Sequence, residues 1–196
     1  MSLPSHYFVR HGETAWSLGG RHTGRTDVSL TANGEIEAQQ LSPLIGSVDF
    51  AEVLTSPRKR ARQTCIFAGL GSRAEVDADL EEWDYGDYEG LTTAEIRTRN
   101  PDWNIFSDGC PSGETTREIA DRADRLIQRF AGHSGKIALF SHGQFGCAFA
   151  ARWIGLDVAQ GVHFALDTAS LSVLGPKPGH PDMPVIRQWN GIPFER

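Results

Sequence analysis

The sequence predicts one α/β domain, a three-layer α/β/α sandwich with a mostly parallel central sheet. Three observations carry this expectation. Short apolar runs at residues 7–9, 50–54 and 136–140 alternate with segments of helical periodicity, the pattern of strand–helix–strand units. The run Ile137-Ala138-Leu139-Phe140 is unbroken, which suits a parallel strand covered on both faces. The 196 residues contain no internal repeat, low-complexity tract or linker, so residues 1–196 read as a single domain.

Tyr7-Phe8-Val9 is the first strand and runs into Arg10-His11-Gly12. Gly19-Gly20-Arg21-His22-Thr23-Gly24 reads as a loop whose glycines let backbone approach a ligand. A helix follows from Thr31, with Leu41, Leu44, Ile45 and Val48 on one buried face. Residues 50–54 form a second strand. Ser56-Pro57 is a helix start, the serine capping and the proline in the first turn, which sets Arg58, Arg60 and Arg62 just inside a helix N-terminus. Gly69-Leu70-Gly71 ends that helix. Residues 75–80 read as a short edge strand, followed by an aromatic and acidic loop to Gly90. A short helix over 93–99 stops before Pro101.

Thr115-Thr116-Arg117-Glu118 is a capping box. The helix it opens carries Ile119, Ala123, Leu126, Ile127 and Phe130 as an apolar stripe, with Asp121 and Arg125 paired outside. The strand over 136–140 then leads to Ser141-His142-Gly143 and an apolar helix with Phe149, Trp153 and Ile154. Residues 170–174 and 185–189 are the last strands.

A hydrophobic share of 39% and a charged share of 22% are those of a soluble globular protein. The net charge of −6 argues against a nucleic-acid partner, and an anionic ligand needs a local basic pocket. Cys65, Cys110 and Cys147 are odd in number and widely spaced, with no zinc spacing or disulfide framework, which fits a reducing compartment. Cys110 and Cys147 lie outside any Cys-x5-Arg loop and read as buried structural thiols. No secretion signal opens the chain, and no apolar stretch approaches the roughly 20 residues of a membrane span. The expectation is a cytoplasmic protein with no membrane partner; its oligomeric state is left open.

Ligands of such sheets sit at the carboxyl ends of the strands, where the clusters around His11, Arg60 and His142 fall. A phosphate monoester, with nearly two negative charges, needs directional cationic donors, and Arg10 and Arg60 supply planar forks. The helix N-termini after Ser56 and His142 add backbone dipoles and bring Gly143 to the site. His11 is the candidate nucleophile, attacking phosphorus in line to give a phosphohistidine. Its other ring nitrogen then needs an acceptor. His142, expected cationic, stabilises the phosphoryl oxygens in the transition state. A carboxyl group must protonate the leaving alkoxide and later activate water. Glu82 is the candidate, with Glu81 beside it a competitor by composition. Tyr85 is a candidate substrate contact, and Trp83 and Tyr88 are read as packing. The scheme uses no metal and no cofactor. His6, His22, His133, His163 and His180 read as surface or satisfied core residues. The loop over 111–115 is read first as a helix cap and second as a cover for the pocket mouth.

Val9-Arg10-His11-Gly12-Glu13-Thr14, with the later Ser141-His142-Gly143, resembles the histidine phosphatase superfamily and its phosphoglycerate mutase-like fold, over residues 7–173. The resemblance implies His11 as nucleophile, Arg10 and Arg60 as phosphate ligands, His142 as the second histidine, and Glu82 of Leu80-Glu81-Glu82 as proton donor. Further stretches are similar to one branch, the fungal sedoheptulose-1,7-bisphosphatase and its bacterial relatives. These are Trp16-Ser17, His22-Thr23-Gly24, residues 55–64, residues 82–90, Trp103-Asn104-Ile105 and Asp108-Gly109-Cys110. Ser17 stands where mutases usually have asparagine. The branch implies a small phosphorylated sugar as substrate, with Ser17, Thr23, Gly24 and Tyr85 near it. Five positions after the second histidine that branch usually carries an arginine. Here the position is Cys147, with Arg152 the candidate to take its part at a distal phosphate. Other functions for the same residues are a phosphoglycerate mutase, a protein phosphohistidine phosphatase and a non-catalytic binder of phosphorylated ligands.

Overall fold

The computed structural model describes residues 3–133 and 135–192. Its strands are β1 (Ser5–Arg10), β2 (Glu52–Thr55), β3 (Glu75–Val76), β4 (Lys136–Ser141), β5 (Leu171–Lys177) and β6 (His180–Gly191), in the sheet order β3-β2-β4-β1-β5-β6. β3, β2, β4 and β1 are mutually parallel, β5 runs against β1, and β6 runs against β5. Only β5 opposes the rest, so the sheet is mostly parallel as expected. The four longest helices among the described residues are α1 (Ala32–Gln40), α2 (Lys59–Phe67), α3 (Thr116–Arg129) and α4 (Gly143–Trp153).

Successive side chains of a strand point to opposite faces, and β4 shows why its apolar run is continuous. Ile137 and Leu139 join Phe8 and Leu54 in the core beneath α3 and α4. Ala138 and Phe140 join Val9 and Val53 in the core beneath α1 and α2. The register of the parallel pairs then sets the site. Arg10 lies opposite Ser141, and Thr55 opposite Phe140. His11, His142 and Ser56 therefore leave the sheet at the same end.

The capping box of α3 is complete, with Glu118 N donating to Thr115 Oγ1 at 3.2 Å and Thr115 N to Glu118 Oε2 at 2.9 Å. The expected Asp121–Arg125 pair is replaced. Residues 77–80 run alongside α3, so Arg125 pairs with Asp79 at 2.8 Å, while Asp121 lies 3.8 Å from Arg117. The helix from Thr31 is also not continuous. It stops at Gln40, and Pro43 lies in a separate turn of helix, Ser42–Ile45. Leu41 and Ile45 are buried, but Leu44 is 44% exposed. The edge strand is two residues long, and the chain then coils into a 3₁₀ turn, Ala78–Leu80. All three cysteines are free and buried. Among the described residues no helix is long and apolar enough to cross a membrane.

His6 lies in the core, but it is not a satisfied residue. Neither ring nitrogen has a hydrogen-bond partner, and the rings of Phe130, Phe149 and Trp153 surround it at 5.9, 5.5 and 5.0 Å. Burial pushes its pKa from 6.5 down to about 3. Below pH 6.5 the unfolded chain takes up a proton here that the native chain refuses, so stability falls as the pH drops towards 3. At pH 5 that loss is about 2 kcal/mol. Urea unfolding at pH 7 and pH 5 checks this: His6→Leu should lose about 2 kcal/mol less between the two than the native protein. Equal losses would contradict it.

Candidate active site

His11 continues β1 by one residue, its N–H donating to the Ser141 carbonyl at 3.0 Å. The acceptor its ring requires is its own neighbour: Nδ1 lies 2.8 Å from the Gly12 carbonyl oxygen. A carbonyl only accepts, so Nδ1 carries the hydrogen and Nε2 keeps the lone pair. Gly12 is held in turn, its N–H donating to Thr64 Oγ1 at 3.0 Å. Burial, then the Arg60 and Arg10 charges, hold the His11 pKa well below 6.5, so the ring is a neutral imidazole.

His142 is fully buried, its ring 5.3 Å from that of His11. Arg60 Nε donates to its Nδ1 at 3.1 Å. A guanidinium never accepts, so this Nδ1 holds a lone pair and the hydrogen sits on Nε2, 2.8 Å from Ser56 Oγ. Burial and the Arg60 charge push its pKa well down. The expected imidazolium is thus a neutral imidazole, because a cation occupies the place where a second acceptor would be needed. Ser56 is this histidine's partner; its Oγ also accepts from Arg58 N at 3.3 Å, but Arg58 is the residue at the cap position of α2. The helix begins later, at Lys59, whose N–H donates to Asp27 Oδ1 at 2.6 Å.

Arg60 has little of its fork left for a phosphate. Nη2 donates to the carbonyls of Thr23 and Gly24 at 2.8 and 3.1 Å, and Nη1 to that of Thr26 at 3.1 Å. With the bond to His142, one of the five N–H groups remains. Arg60 therefore ties the loop over 23–26 to His142. Gly24 donates its own N–H to the Glu89 carboxylate at 2.9 and 3.0 Å.

A cavity of about 230 Å³ opens beside His11, below the roughly 300 Å³ at which pockets for drug-sized ligands begin. Of the residues singled out in the sequence, Arg10, His11, Ser17, Thr23, Glu82, Tyr85 and Gly143 line it. His142, Arg60 and Gly24 stand behind its wall. Arg10 donates through Nη1 to the Leu166 carbonyl, while its buried Nε has no protein partner. A Cβ at residue 143 would lie 3.3 Å from Arg10 Nε and Cζ, so the glycine makes room for the guanidinium. Ser17 spends its hydroxyl locally, donating to the Thr14 carbonyl at 3.0 Å and accepting from Thr14 N at 2.9 Å.

The two candidate glutamates are separated. Glu81 pairs with Arg58 at 2.9 Å, whereas Glu82 reaches the cavity and caps α4. Its Oε1 accepts from Trp83 N and Phe145 N at 2.9 and 2.8 Å, and its Oε2 from Gln144 N at 3.0 Å. Three backbone N–H groups thus fix the orientation of this carboxyl group at the N-terminus of α4. Tyr85 is buried and stacked on His22 at 4.7 Å. Burial, then the Glu82 charge, raises its phenol well above 10, so it is a neutral O–H.

The opposite wall is apolar. Cys147 donates to the Phe164 carbonyl at 3.3 Å, and both line the cavity with Leu166. Burial pushes the Cys147 thiol up to about 12. Arg152 does not take the distal part, since its fork grips Asp124 at 2.9 and 2.8 Å outside the cavity. The second cation on the wall is Arg21, which donates to the Gly90 carbonyl at 2.6 Å. In the sequence Arg21 carries no signal beyond its place in a glycine-rich loop. His22 also lines the cavity, and its place in His22-Thr23-Gly24 was the available signal.

An NMR titration of the His11 ring checks its electrostatics. The ring should stay neutral from about pH 7.5 to about 5.5, where a histidine with an ordinary pKa is about nine-tenths protonated. A midpoint near 6.5 would contradict the depressed value.

Known proteins similar to this chain bear on its chemistry. Residues 6–190 match the histidine phosphatase superfamily, branch 1. The chain is 46% identical over 171 residues to an acid phosphatase of Mycobacterium tuberculosis, covering 85% of this chain and 84% of that protein. It is 38% identical over 187 residues to the sedoheptulose 1,7-bisphosphatase of Saccharomyces cerevisiae, covering 79% of this chain and 69% of that one. Its fold matches the solved structure of an open reading frame product of Mycobacterium tuberculosis with a TM-score of 0.91 at 39% identity, over 97% and 99% of the two chains. With the family's profile spanning nearly the whole chain, this protein belongs to the histidine phosphatase superfamily and is a phosphoric monoester hydrolase.

Proposed function

We propose that this phosphatase hydrolyses a small phosphorylated metabolite, a sugar phosphate or bisphosphate, through a phosphohistidine on His11. The observation that carries the mechanism is the His11 Nδ1–Gly12 bond of 2.8 Å, which leaves Nε2 as the lone-pair atom of a cavity-lining residue. Nε2 forms a bond to phosphorus as the ester P–O bond breaks, while Arg10 holds the phosphoryl oxygens. The leaving alkoxide takes its proton from Glu82. The resulting carboxylate then accepts a proton from water, whose oxygen attacks phosphorus and displaces His11. His142 and the α4 N-terminus contribute fixed dipoles, which need no reorganisation as charge develops.

The relatives named above support a phosphorylated sugar. The cavity suits one: Thr23 and Gln144 line it with polar side chains, beside the stacked rings of His22 and Tyr85. With Cys147 in an apolar wall, a second phosphate would be met by Arg21 at the rim. Three unpaired cysteines suit a cytoplasmic setting.

Phosphate release from sedoheptulose-1,7-bisphosphate, without added metal, tests both levels. The native protein should release phosphate, and His11→Ala should be slower by at least about a thousandfold. Undiminished release by His11→Ala would overturn the mechanism. No release by the native protein, beside His11-dependent hydrolysis of an aryl phosphate, would remove the bisphosphate and keep the chemistry.

A further inference from the structure

Arg122 is a buried cation on α3 that the chemistry above does not use. Its side chain is hydrogen-bonded throughout. Nε and Nη2 grip the Glu114 carboxylate, both at 2.9 Å. Nη2 also donates to the Glu82 carbonyl at 3.3 Å, and Nη1 to those of Asp79 and Glu81 at 2.9 and 2.5 Å. These five contacts match the five N–H groups of a guanidinium. Its flat face lies 4.4 Å from the centre of the Phe145 ring, a cation–π contact.

Both sides of this grip concern Glu82. The carbonyls belong to the irregular segment that carries it, and Phe145 supplies one of the N–H groups that hold its carboxylate, at 2.8 Å. Glu114 completes the brace: it accepts from Asp84 N at 3.0 Å through Oε2 and donates its own N–H to the Asp84 carbonyl at 2.9 Å. Its carbonyl accepts from Trp83 Nε1 at 2.9 Å. Gly113 allows this approach, since a Cβ there would lie 2.2 Å from the Asp84 carbonyl oxygen. The loop over 111–115 is thus more than the approach to a helix cap.

We propose that Arg122, clamped by Glu114, is the positioning residue that sets Glu82 for proton transfer to the leaving group. The proposal rests on the assignment of Glu82 as proton donor. A lysine cannot replace the fork, since an ammonium has three donors on a flexible stem and no planar face. Misplacing the acid penalises esters whose leaving group needs a proton more than esters whose leaving group departs as a stable anion.

The parameter to measure is kcat/KM, which covers the steps through departure of the leaving group. The substrates are p-nitrophenyl phosphate, which releases a stable phenolate, and glycerol phosphate, which releases an alkoxide. The native protein is compared with Arg122→Lys, Glu82→Gln and the double variant, each checked for cooperative thermal unfolding. Arg122→Lys should lose at least about tenfold more on glycerol phosphate than on the aryl ester, part of the roughly 10²–10⁴ that a positioned acid supplies. In the Glu82→Gln background the same substitution should add no selective loss. Equal losses on the two esters, or selective losses that add in full, would overturn the positioning role and leave Glu82 as the acid. If Glu82→Gln itself showed no selectivity, the proton-donor assignment would fail and this proposal with it. Should Arg122→Lys not fold, Glu114→Gln keeps the acceptor's shape and should show the same selectivity at about threefold; its absence would count against the brace.

Discussion

The parallel pairing of β1 with β4 places Arg10 opposite Ser141. The residues that follow, His11 and His142, leave the sheet together with their rings 5.3 Å apart. The pairing is anchored by packing on both faces, Phe8 with Leu139 on one and Val9 with Phe140 on the other. A slip of one residue would turn every one of these side chains to the wrong layer. The register that satisfies the core is therefore the register that assembles the site. β2 adds Ser56 from the other side of β4, beside the ring nitrogen that Arg60 leaves protonated.

Around that frame the charges are arranged so that both imidazoles stay neutral. Arg60 is fully buried, yet its cation is met by loop carbonyls and by His142 Nδ1. Burial works against its charge, and Glu82 works for it. The chain as a whole carries −6, so the cationic environment is local, built from side chains held by backbone acceptors. Such a site is organised before a phosphoryl group arrives. Arg10, whose Nε is buried without a protein partner, lines the cavity.

Much of this was legible because the signals are local. The period of apolar runs located the strands, Thr115 and Glu118 located the longest helix, and Arg10-His11 and Ser141-His142 fell at strand ends. What escaped depends on contacts far along the chain. Ser56 before Pro57 has the form of a helix cap; its hydroxyl does accept from Arg58 N, but it also meets a histidine 86 positions away. Arg60 has the chemistry of a phosphate ligand, and nothing local reveals the carbonyls 34 to 37 positions earlier that take three of its N–H groups. His142 was expected to be cationic because nothing local reveals a guanidinium at its Nδ1. Arg125 had a plausible partner one turn away, and a nearer carboxylate came from Asp79. Glu114 and Arg122 carried no signal beyond the cap and the helix that contain them.

The most direct test of the His11 chemistry is to trap the phosphoryl enzyme. The native protein, without added metal, is mixed with a radiolabelled phosphomonoester, quenched in alkali within one turnover and digested. The label should lie on the peptide containing His11, stable to base and labile to acid, and no peptide containing His142 should carry it. Label on another residue, or steady phosphate release with no labelled protein at any time, would contradict attack by His11.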